Sequence, residues 1–142
     1  MLAELDQMVD ALIDRFQPTL LTFEAPILPS RGGKTVMGSL LTRRKLMGIA
    51  GHVEFMAHVR GIPCAEANVH AIKRELTSDA HAKKEAMVAA ALKCGVVLPE
   101  TQAAGREDAA DAFGIWMLAL RHRDRRLSVR FDQLLYRGRG LL

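Results

Sequence analysis

Phe16-Gln17-Pro18-Thr19-Leu20-Leu21-Thr22-Phe23-Glu24 is the stretch whose reading decides the fold class. Upstream of it, Leu5, Met8, Val9, Leu12, Ile13 and Phe16 recur at the i, i+3, i+4, i+7 spacing of an amphipathic helix over 3–16. Pro18 closes that helix, because a proline inside it would lose a hydrogen bond and clash. The run from Thr19 to Phe23 is short and nearly all apolar or β-branched, as expected of a strand buried on both faces. Helix, tight turn and buried strand make half of an α/β unit. Glu24 stands at the carboxyl end of the strand, where sites gather in open α/β sheets. A solvated strand-end charge explains the same residue equally well.

Downstream, Pro26, Pro29, Gly32, Gly33 and Gly38 mark a loop over 25–38. The spacing predicts a long helix over 40–59, with Leu41, Ile49, Val53, Met56 and Ala57 among its apolar positions and Gly61 as its cap. Ile62-Pro63-Cys64-Ala65 reads as a second short strand near an edge, since Pro63 has no N–H to donate to a ladder. A short helix is expected over 68–76, another over 80–94 stopped by Gly95, and a last one over 107–120 with Phe113, Trp116, Met117 and Leu120 apolar. The 99–105 segment reads as loop. One domain over 1–121 and a basic tail over 122–142 account for the 142 residues.

Composition narrows the classes. No apolar run nears the roughly 18 residues of a membrane helix, and the acidic N-terminus lacks a signal-peptide pattern, so a cytoplasmic location is expected. Cys64 and Cys94 form no C-x-x-C and read as small buried packing groups. The five histidines lack zinc-ligand spacing, and no G-x-S-x-G occurs. Gly32-Gly33-Lys34-Thr35 is no phosphate loop, because the glycine that motif needs at position 28 is Leu28. A net charge of +4 is a mild excess compatible with a polyanion. It is unevenly spread: Arg31, Lys34, Arg43, Arg44 and Lys45 follow Glu24, and seven arginines lie between Arg121 and Arg139.

Glu107-Asp108-Ala109-Ala110-Asp111-Ala112 supplies the second carboxylate group. Asp108 and Asp111, three apart in the expected first turn of the last helix, share a face. Helix capping is the plain explanation, since acidic residues are favoured at helix N-termini. A divalent cation is the other, because adjacent like charges repel unless something neutralises them. Mg²⁺ prefers a few carboxylates plus waters. Carboxylates from distant segments holding two such ions would suit in-line displacement at phosphorus. Lys73, Lys83 and Lys84 lie on polar stretches between the carboxylates, where solvated helix surface is the default reading.

Taken in order, these segments resemble RuvC-type Holliday junction resolvases. Phe16-Gln17-Pro18 and a strand ending in Glu24 look like that family's second catalytic segment, and Asp108-Ala109-Ala110-Asp111-Ala112 looks like its closing D-A-A-D-A helix. Lys73 in Ala71-Ile72-Lys73-Arg74 and Lys84 in Ala82-Lys83-Lys84-Glu85 match the order of its two lysines. The resemblance spans about Leu5 to Leu120. It implies a ribonuclease H-like α/β fold and Mg²⁺- or Mn²⁺-dependent cleavage of branched DNA by a homodimer. Glu24, Asp108 and Asp111 would be metal ligands. Lys84 would assist catalysis, and Lys73 and Lys84, with Arg31, Lys34, Arg43 and Arg44, would contact DNA. Members of the family open with a hairpin carrying a further catalytic aspartate in a D-x-G setting, and Met1 here falls just before the first helix. The expected fold is therefore a truncated one with a short sheet, an incomplete carboxylate set and activity impaired by the gap. The exposed edge of the Thr19 strand is expected to be covered by a second copy, by swapping or by local rearrangement. A non-catalytic nucleic-acid-binding or dimerisation module is the alternative. Asp6, Asp10 and Asp14 do not fill the gap, because they lie on the polar face of the first helix.

Overall fold

The computed structural model describes residues 2–26, 40–100 and 103–124, together with 126, 127 and 129. Arg31, Lys34 and the 131–142 part of the basic tail lie outside the described residues. The elements run α1 (Leu2–Phe16), β1 (Leu21–Glu24), α2 (Leu40–Val59), β2 (Cys64–Ala67), α3 (Val69–Thr77), α4 (Lys84–Lys93) and α5 (Ala103–Arg123). This is a helix-rich α/β chain with one two-stranded parallel sheet, β1 beside β2. It divides into two compact units, Met1–Glu66 and Ala67–Leu142.

In the first unit, Val9 and Ile13 of α1 pack with Met56 of α2, and Leu5, Leu21 and Ile62 lie half-buried around them. The apolar face predicted for α1 is wider than the surface it buries: Met8, Leu12 and Phe16 are exposed, as is Leu41 on α2. The polar face of α1 is used. Arg60 bridges Asp10 at 2.7 Å and Asp14 at 3.1 Å, and His52 contacts Asp6. These three aspartates are thus partners of His52 on α2 and of Arg60 just past its end.

Strand β1 is shorter than the sequence implies, and β2 is displaced along the chain. Gln17 leaves α1 with a left-handed φ of 46° while its N–H still donates to the Ile13 carbonyl, so β1 begins only at Leu21. Gly61, at φ 66°, ends α2 with Ile62 N–H donating to the Ala57 carbonyl, the 6→1 bond of a Schellman turn. Pro63 contributes its carbonyl, which accepts from Leu21 N–H at 2.9 Å, and the strand proper follows it as Cys64–Ala67. Cys64 is therefore a half-buried strand residue, and only Cys94 is buried as expected.

The second unit is a three-helix core. Ile72 and Leu76 from α3, Met87 and Ala91 from α4, and Ala110 and Met117 from α5 are its centre. Gly114 lets α5 approach: a Cβ there would lie 2.8 Å from Ile72 Cγ2 and 3.2 Å from Met87 Cε. Asn68 caps α3, its side chain accepting from His70 N–H at 2.9 Å and Ala71 N–H at 3.4 Å. Replacing Asn68 by alanine is expected to cost about 1 kcal/mol. Urea unfolding checks this, with Asn68→Asp close to the parent.

Two boundaries move. Helix α4 starts at Lys84 rather than near Ala80, because Asp79 closes a local turn: its side chain accepts from His81 N–H at 2.8 Å and its carbonyl from Ala82 N–H at 3.2 Å. Helix α5 starts at Ala103, through the glycine that suggested a loop.

Candidate active site

The early start of α5 changes what Asp108 and Asp111 are. The first turn of α5 holds no acidic residue, so both aspartates lie beyond it, past the range of the helix-end dipole. Capping does not account for them. Asp108 is exposed and Asp111 half-buried.

Two lysines from other helices face this segment. Lys84 opens α4, where its Nζ donates to Glu107 Oε2 at 2.7 Å. That bond and the Glu107 charge raise the Lys84 pKa, with Asp111 and Asp108 adding to the rise, so the ammonium is held charged. Lys73, half-buried on α3, is the second. Burial pushes the Asp111 carboxyl above its ordinary range, the charges of Lys84 and Lys73 oppose that, and those of Asp108 and Glu107 add to it. Three helices thus bring Lys73, Lys84, Glu107, Asp108 and Asp111 within electrostatic reach of one another. They can because α3, α4 and α5 pack on one shared core.

The Asp111 shift sets a pH dependence. A raised folded-state value means that the protonated form is favoured by folding. The associated stability is present below the unfolded value of about 3.8 and is lost as pH rises through the raised folded value. Above that window, ionised Asp111 is a net cost. Asp111→Asn is expected to raise Tm at pH 7 by on the order of 2 °C, the scale of a few tenths of a kcal/mol discounted for partial exposure. The gain should vanish near pH 3, and thermal melts at the two pH values check it.

Hard carboxylate oxygens suit a hard divalent cation better than a soft one. Asp108 and Asp111 therefore fit Mg²⁺ or Mn²⁺. Among the described residues, no group of three or more His, Cys, Asp or Glu side chains is gathered as metal ligands. Glu24 belongs to the first unit, half-buried at the end of β1. Arg43 and Arg44 lie near the start of α2 in that unit, Arg43 half-buried and Arg44 exposed.

Sequence reasoning passed over Glu107. Its signal was present, four residues before Asp111 and hence on the same helix face. It also passed over His70 and His81, eleven apart in the chain, whose rings meet edge-on at 5.3 Å.

The element order is that of a helix-rich α/β protein, and its likeness to a solved structure shows a RuvC-like fold. A solved structure it is similar to is Thermus thermophilus RuvC, with a TM-score of 0.61 and 17% identity over 85% of this chain and 68% of that one. At that identity the likeness establishes the fold. No protein-family model and no curated protein matches the sequence. No helix among the described residues is long and apolar enough to cross a membrane.

Proposed function

We propose that this chain is a divalent-metal-dependent endonuclease of four-way or other branched DNA, acting as a homodimer. The observation that carries the proposal is the meeting of Asp108, Asp111, Lys73 and Lys84 above the core of the second unit, in a fold shared with RuvC.

Each residue has a role that its surroundings support. Asp108 and Asp111 are the oxygen donors for Mg²⁺ or Mn²⁺. When bound, that ion supplies water activation and charge neutralisation at phosphorus. Lys84 remains an ammonium at neutral pH and presents its charge to a phosphate oxygen. Lys73, on the neighbouring helix, lies along the same acidic segment and positions the backbone of the nucleic acid. Arg43 and Arg44 add positive charge near the start of α2 in the first unit.

The test is a labelled four-way junction incubated with the chain in Mg²⁺ and in Mn²⁺. Nicked product with two copies of the chain per junction supports the proposal. Salt-sensitive binding without any cut strand would instead make the chain a nucleic-acid-binding module. Neither binding nor cleavage removes DNA from the account.

A further inference from the structure

The contact between Lys84 and Glu107 sits beside the candidate metal ligands, and its geometry is informative. Lys84 is the first residue of α4, and its side chain crosses to α5 to reach Glu107 Oε2 at 2.7 Å. It does so although it remains 54% exposed, with open water available as an alternative, while Glu107 is 27% exposed. Along α5, Glu107, Asp108 and Asp111 present three negative charges within about one helical turn. Like charges at this spacing destabilise a helix unless they are neutralised.

From this geometry we propose that Glu107 holds Lys84 as a built-in counter-ion for the Asp108/Asp111 pair, and that a divalent cation and a DNA phosphate each compete with that contact. The proposal rests on the nuclease reading for the identity of the phosphate, whereas the competition with a cation does not. Its physical basis is exchange of one positive charge for another. The fixed ammonium offsets the carboxylates when no ion is present, so exposed Asp108 and half-buried Asp111 can lie together on one helix. An incoming cation repels the ammonium and weakens its attraction to the acidic segment. A phosphate offers Lys84 a second anion. By linkage, whichever ligand loosens the contact first makes binding of the other easier. Glu107 is then a positioning residue: it acts through Lys84 and restrains the site until it is loaded.

The test has two arms. In the absence of DNA, Mn²⁺ binding is followed by the electron paramagnetic resonance of the free ion. Lys84→Gln should tighten Mn²⁺ by about threefold or more, the scale of one screened charge near a protein surface. Unchanged or weaker Mn²⁺ binding in Lys84→Gln overturns the counter-ion role. In the second arm, binding to a four-way junction is measured in EDTA over a range of salt. Glu107→Gln should tighten it by about threefold and steepen the slope of log K against log salt by about one unit, as one more lysine meets phosphate. The same Glu107→Gln change made in a Lys84→Gln background should have neither effect. An equal gain in both backgrounds would mean that Glu107 acts only by its own charge, and would overturn the positioning role. A parent chain that binds Mn²⁺ as expected but no junction would sink the nuclease reading and leave the first arm to decide the counter-ion role.

Discussion

In Mg²⁺ the Asp108→Asn, Asp111→Asn chain is expected to leave a four-way junction uncut, with nicking reduced by about 10²-fold or more to the uncatalysed background. The magnitude follows from what the two side chains are asked to supply. Amides of the same shape keep the helix surface and its space, yet they lose the anionic oxygens that a hard cation requires. Stability should not fall with activity. Asp111 carries a burial cost when ionised, and removing like charges from α5 relieves repulsion. A variant that is folded, at least as stable as the parent, and inactive would therefore separate chemistry from structure. Nicking that persists at the parental rate in a preparation free of other nucleases would end the enzyme reading.

The largest stability effect is expected in the core below that site. Ile72 is 2% exposed and its Cγ2 occupies the space into which a side chain at position 114 would project. Ile72→Ala is expected to cost about 2–5 kcal/mol, a large share of the roughly 5–15 kcal/mol that holds an ordinary domain together. Gly114→Ala alone faces two opposed terms. It gains about 1 kcal/mol in helix propensity and incurs an overpacking cost of about 1–3 kcal/mol, because the 2.8 Å contact with Ile72 Cγ2 must open. With Ile72 cut back to alanine, that methyl is gone. Gly114→Ala should then stabilise the Ile72→Ala chain. Urea unfolding of the parent, both single variants and the double variant measures the coupling. Additive effects would show that α3 and α5 do not meet as described.

Much of this architecture could be read from residue order. Periodicity located α2 at Leu40–Val59 and placed α1 and α3 within a residue or so, because each is bounded by a local signal: Gln17-Pro18 after α1, Gly61 after α2 and the Asn68 cap before α3. The misplaced starts share one cause. Residue type alone points to a helix from about 80 and a loop through Gly105, but Asp79 uses its side chain in a turn that delays α4, while Gly105 is carried inside α5. Local chemistry decides the first case and helix continuity the second, and neither shows in periodicity. The site was legible as residues but not as geometry. Asp108, Asp111, Lys73 and Lys84 could be picked out through the family resemblance. Glu107 shares the helix face of Asp111 by its spacing, but its part depends on where the α4 lysine lands. The width of the apolar face on α1 was similarly visible, whereas the exposure of Met8, Leu12 and Phe16 along it was not.

Gly114 lies three residues beyond Asp111, one turn further along the same helix. The missing side chain there sets how deeply α5 seats between α3 and α4, the helices that carry Lys73 and Lys84. It is therefore the spacer of the charge cluster as well as a packing device. A single methyl added there would press on Ile72 of α3 and Met87 of α4, and any shift of α5 that relieves the pressure bears on the Lys84–Glu107 contact without altering a charged residue. Sequence change in this protein can thus tune its electrostatics from within the apolar core, and the volume at position 114 is the dial.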